Sequence, residues 1–128
     1  MTATRISIEF EEVGIVEGEL FDKASPKTYN AFVKNMPFKS KANTWGKEIY
    51  FDTPISMPSE NGKKEVEVGD IGYWPPGRSM CLFFGPTPAS SGSKPVAASP
   101  VNVIGRITKN MELLHKVGDG VGIKVRTA

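Results

Sequence analysis

Histidine and cysteine are almost missing from this sequence. Its 128 residues hold one of each, His115 and Cys81. A single thiol excludes an intrachain disulfide, and the pair is too small for a zinc site of the Cys/His type. Long apolar runs are missing as well: no window approaches the roughly 18 residues of a membrane span. Charge of one sign is scarce, with 16 basic against 14 acidic residues and a net charge of +2. The densest basic cluster, Lys34 to Lys41, is diluted by Pro37 and Phe38. That argues against a nucleic-acid footprint and leaves room only for a weak anionic partner. The N-terminal "MTATRISIEFEE" has no apolar stretch after a basic start, so no signal peptide is expected and a cytoplasmic protein is the default. Nothing in the sequence implies a cofactor.

What is present reads as one domain over residues 1–128. Ile6, Ile8 and Phe10 alternate with Ser7, Glu9 and Glu11, the period of a half-buried strand. Val13-Gly14 turns the chain, and Ile15 to Phe21 returns as a second strand. Ser25 and Pro26 suit the start of a helix, and Tyr29, Phe32, Val33 and Met36 fall on one helical face that Pro37 ends. Strand pattern resumes in "NTWGKEIYF", followed by a loop closing on Asn61-Gly62. "EVEVGDIGYW" is strand around a turn, "PPG" (Pro75 to Gly77) a tight turn, and Met80 to Phe84 a short apolar strand. "GPTPASSGSKPVAASP" predicts a flexible loop. Val101 to Ile107 predicts a strand, Met111 to Val117 a turn or two of helix, and the C-terminus a turn plus a strand. Many short strands with Gly/Pro turns predict a mainly β fold, a barrel or a sandwich; a barrel also removes exposed edges.

Three segments, in this order, resemble a cyclophilin. "SPKTYNAFVKN" (Ser25 to Asn35) is similar to that family's first helix, "SMCLFF" (Ser79 to Phe84) to its Ser-Gln-Phe-Phe strand, and "VNVIGRITKNMELLHKV" (Val101 to Val117) to its Val-Phe-Gly-Lys-Val strand and the turn after it. With "NTWGKEIYF" and "GDIGYWPPGRSMCLFFG", the chain resembles more closely still a small prokaryotic cyclophilin-like family of unassigned function. The resemblance implies a closed β-barrel of about eight strands with one or two short helices. It does not extend to the isomerase residues. The family's arginine strand reads "GKEIYFD" here, Leu82 stands at the glutamine position and Val101 near the histidine position; of those residues only Phe84 matches.

Chemistry by side chain is sparse. Cys81 in an apolar strand reads as a buried, inert thiol, and His115 as a surface histidine. Glu48 and Asp52 share one strand face and read as solvated charges before they read as a carboxylate pair. "GDGVG" (Gly118 to Gly122) precedes a strand, so it reads as a turn and not a phosphate loop. The unusual stretch is "GYWPPGRSMCLFFGPTP" (Gly72 to Pro88), which mixes core aromatics with turn residues. Alternation sends Tyr73 and Trp74 to opposite faces, and Phe83 and Phe84 likewise, so one of each pair belongs to the outer face, where cyclophilins bind peptides. A groove of Trp45, Tyr73 or Trp74, and Phe84, with Arg78, Glu48 and Asn102 as polar members, is the candidate binding site. The expected function is a non-catalytic peptide or small-molecule binding module. A weak or divergent prolyl isomerase and an oligomeric interaction protein are the alternatives; the oligomeric state is not legible.

Overall fold

Alternation near the N-terminus becomes a hairpin. A computed structural model describes residues 2–128. Strand β1 (Ala3–Phe10) turns Ile6, Ile8 and Phe10 inward, all fully buried. It pairs antiparallel with β2 (Gly14–Phe21), Phe10 facing Gly14, and β2 adds Val16 and Leu20 to the same core.

Helix α1 (Pro26–Asn35) follows at the expected place. Tyr29 and Phe32 are buried and Met36 packs at the margin of the core, but Val33 is exposed, against the sequence reading. Thr28 takes the inward place instead. It is fully buried, and its hydroxyl donates to Glu60 Oε1 (2.8 Å) and accepts from Asn102 Nδ2 (3.1 Å). These bonds turn the buried face toward Thr28 and carry Val33 outward. Ser25 sits at the N-cap position, its carbonyl accepting from Tyr29 N (2.9 Å), but its hydroxyl does not bond the helix and donates instead to the Glu60 carbonyl (3.0 Å). The Glu60 carboxylate supplies the cap, accepting from Lys27 N (3.0 Å) and Thr28 N (2.9 Å).

The remaining strands are β3 (Phe38–Lys41), β4 (Asn43–Thr44), β5 (Glu48–Asp52), β6 (Lys63–Glu65), β7 (Asp70–Trp74), β8 (Ser79–Phe83), β9 (Val96–Lys109) and β10 (Gly122–Thr127). Short 3₁₀ turns occupy Pro75–Gly77 and Met111–Lys116. The fold is mainly β: one antiparallel sheet in the order β3-β10-β1-β2-β9-β7-β8-β5-β4, with β6 paired to β9 off this path. The sheet has ten strands where about eight were expected, two of the additions being the short β4 and β6. Hydrogen bonds do not close it, since β3 and β4 end the ladder. Across that gap Phe38 of β3 and Phe51 of β5 lie 6.5 Å apart between ring centroids, so side chains meet where backbone does not.

The larger departure from the sequence reading lies between Gly85 and Pro100. The two ends of the expected flexible loop pack, while residues 88–94 between them stay largely exposed. Thr87 is buried, its hydroxyl donating to the Val96 carbonyl, while Ser90 Oγ accepts from Thr87 N (2.9 Å) and donates to the Lys94 carbonyl (2.7 Å). Residues 96–100 already belong to β9, whose first part pairs with β6 and whose later part pairs with β7 and β2. Small residues allow this close approach. Ala97, with Val66, Cys81, Phe83 and Val101, forms a second apolar cluster, separate from the core that holds Met80 and Leu82. Strand β8 is therefore buried on both faces, and that is why it reads as an unbroken apolar run.

Candidate functional site

Over this second cluster lies a cavity of about 230 Å³. Strand β5 contributes Glu48 and Tyr50, β7 contributes Trp74, and the early part of β9 contributes Ala97, Ala98 and Val101. Trp45 closes one side from the turn between β4 and β5. That turn is held by Trp45 N donating to the Glu48 carbonyl (2.9 Å) and Glu48 N donating to the Trp45 carbonyl (3.2 Å). Gly46 within it has φ +59°, and a Cβ there would lie 2.8 Å from Pro88 Cδ, so the turn needs glycine on both counts.

Trp74 is fixed from two directions. Its Nε1 donates to Ser99 Oγ (2.6 Å). The Pro75–Gly77 turn folds back on the indole so tightly that a Cβ on Gly77 would stand 2.4 Å from Cζ3. The mixture of aromatics and turn residues in "GYWPPG" thus has a local cause: the turn clamps the ring against the cavity.

Glu48 is the exceptional residue here. It is 6% exposed, and its Oε1 is buried with no hydrogen-bond partner. Burial raises its pKa from 4.5 to about 7, an effect only partly offset by the neighbouring Cys81 thiol. In turn, burial and the nearby Glu48 charge push the Cys81 thiol well above its ordinary range, which suits an inert thiol and not a nucleophile. Reading Glu48 as a solvated charge is therefore corrected. Asp52, on the same strand face, is exposed. The ladder explains the difference: Glu48 pairs with Phe83 beneath the second layer, and Asp52 pairs with Ser79 at the far end of β8. No ion pair among the described residues includes Glu48. Lys47, next in the chain, points elsewhere, its Nζ 3.5 Å from His115 Nδ1 and 6.0 Å from the Phe84 ring centroid.

Of the residues singled out from sequence, the fold brings Trp45, Glu48 and Trp74 together around one cavity. The other four lie outside its lining. Tyr73 is fully buried on the inner face; its hydroxyl donates to the Ile55 carbonyl (2.7 Å) and its ring meets Phe32 edge-on at 5.9 Å. Arg78 caps the 3₁₀ turn in a left-handed conformation (φ 50°), its Nε directed at the Ile55 carbonyl (3.4 Å). Phe84 stacks edge-on against His115 at 4.9 Å. Asn102 is fully buried: Oδ1 accepts from Glu60 N (2.7 Å), and Nδ2 donates to Thr28 Oγ1 and to the Pro58 carbonyl (3.0 Å). Alternation is the reason in two cases, because Tyr73 and Asn102 are the inward neighbours of Trp74 and Val101.

Sequence reasoning missed Tyr50, Ala97, Ala98 and Val101. Tyr50 was within reach, two residues from Glu48 on the same strand face. Ala97 and Ala98 lie in a stretch whose composition carries no strand signal. Among the described residues no group of three or more His, Cys, Asp or Glu is placed to hold a metal ion, and no helix is long and apolar enough to cross a membrane.

Comparison with known proteins agrees with the architecture. The family model described as Cyclophilin-like matches residues 4–126. The solution structure of the hypothetical protein AF2241 from Archaeoglobus fulgidus is similar at a TM-score of 0.84 and 47% sequence identity, covering 98% of this chain and 95% of that one. No curated protein matches. On the strength of a match spanning nearly its whole length, this chain belongs to the cyclophilin-like family.

Proposed function

We propose that this protein is a non-catalytic binding module that takes a small amphipathic molecule into the cavity between β5, β7 and the start of β9. The observation that carries this reading is Glu48 Oε1, buried and without a partner in an otherwise apolar lining. An unsatisfied buried acceptor costs roughly 1–3 kcal/mol, more when charged. A ligand that brings a donor removes that cost, and the surrounding rings supply apolar contact for its body. The volume suits a single compact group better than an extended peptide.

Prolyl isomerisation fits the cavity poorly. Rotation about the imide must lower a resonance barrier of about 18–20 kcal/mol, and fixed donors or cations contribute a few kcal/mol each. The lining holds no cation, and Lys47 is turned toward His115. Activity on a proline tetrapeptide is expected to be absent or very low.

Titration with benzyl alcohol, followed by the indole N–H signals of Trp45 and Trp74 in heteronuclear NMR, tests the binding reading. Saturable shifts of both signals are expected. In Ala98→Phe, an exposed position on the cavity wall, a bulky side chain fills the space and the shifts should vanish. If Ala98→Phe binds the probe as the parent does, the cavity is not the site.

A further inference from the structure

We infer that the ligand of this cavity is a small organic cation, a protonated alkylamine, whose N–H donates to Glu48 while Trp45, Tyr50 and Trp74 enclose its apolar body. The inference rests on reading the cavity as a binding site and adds the chemical class of its occupant.

Three features point to positive charge. The first is the absence of compensation. The titratable groups facing Glu48 are Tyr50 on its own strand and Cys81 on β8; the overlying part of β9 presents Ala97, Ala98 and Val101, which do not titrate. A cation from outside therefore meets a carboxylate that has no ion-pair partner among the described residues. The second is the wall. Aromatic faces attract cations through the ring quadrupole, more strongly when the cation is desolvated, and indole is the best of them. Two indoles and a phenol line this cavity. The third is the orphan oxygen. Oε1 needs a hydrogen-bond donor, which a protonated amine has and a quaternary ammonium lacks. An anionic ligand would face repulsion from the ionised carboxylate, and a neutral donor would gain nothing from its charge.

Binding of such a cation favours the ionised carboxylate, so affinity should rise with pH through the titration of Glu48 near 7. An alkylammonium stays charged across that range, because amines of this kind titrate far above neutral pH.

The test compares benzylamine with benzyl alcohol, which share a body and differ in charge. At about pH 8 the amine should bind roughly ten- to hundredfold tighter, the range expected of one charge-assisted hydrogen bond. In Glu48→Gln, which keeps the shape and loses the charge, the preference should collapse toward unity while benzyl alcohol still binds. Lowering the pH to about 5.5 should shrink the preference in the parent and leave the variant unchanged. Equal affinities in the parent, or a preference that survives in Glu48→Gln, overturn the cation assignment. Failure of both probes to bind overturns the cavity as a site, which keeps the two readings separable.

Discussion

Val101 and Asn102 are adjacent and have opposite roles. Val101 lines the cavity, whereas Asn102 is buried on the other side of its strand, tying the loop before β6 to helix α1. Polar character drew attention to Asn102 from sequence, but a buried amide whose Oδ1 and Nδ2 are both bonded is a structural part. The same distinction separates Tyr73, satisfied by Ile55, from Glu48, whose Oε1 is not satisfied at all. Sequence shows which side chains are polar and not which are paired. That is why Glu48 was legible as a candidate while the reason for its importance was not. Asn102→Ala should lower stability by about 1–3 kcal/mol, because it strands Glu60 N and the Pro58 carbonyl. Benzyl alcohol binding in the variant that remains folded should match the parent. Denaturant unfolding with parallel NMR titration checks both, and a selective loss of binding would restore Asn102 to the site.

Elements near the N-terminus were legible because their periodicity is strong and β1 and β2 pair with each other as a hairpin. β1, β2 and α1 stand where alternation and helical spacing place them. The cap of α1 was not, since it comes from Glu60, more than thirty residues away. Burial tends to raise the Glu60 carboxyl, but hydrogen bonds from Lys27 N, Thr28 N and the Thr28 hydroxyl, together with the Lys27 charge, outweigh it and leave the pKa below its ordinary value. Its ionised form therefore adds stability that is present above the unfolded carboxylate pKa of about 4.3 and is lost as pH falls through the lower folded value. Glu60→Gln should be less stable than the parent at neutral pH, by about 1 kcal/mol on the scale of helix caps. The gap should narrow in acid as the parent carboxyl protonates. Urea midpoints for both proteins across that range check this; a gap independent of pH would mean the charge contributes nothing. The start of β9 was illegible for a different reason. Its Ala, Ser and Pro residues have little strand preference, and only the sheet beneath and the pairing with β6 make them strand.

At the scale of the whole molecule, a second apolar layer laid over one face of the sheet creates the cavity and buries a carboxyl inside it. That arrangement works against stability. Glu48 binds its proton more tightly in the folded chain, where its pKa is about 7, than in the unfolded chain near 4.5. Stability from this group is thus full below about pH 4.5, declines as pH rises, and is lost above about pH 7. A shift of that size corresponds to roughly 3 kcal/mol across the interval. Glu48→Gln removes the titration and keeps the shape. The variant should match the parent at about pH 4.5 and exceed it at about pH 8, with the excess growing steadily between. Denaturant unfolding at matched ionic strength measures the difference directly. A parent and variant that fall together with pH would show that Glu48 is not buried as an unpartnered acid in solution. The expected excess, growing from about pH 4.5 and levelling off above about pH 7, identifies Glu48 as a residue that lowers the stability of the empty protein, a cost that a cationic ligand bound to its carboxylate would offset.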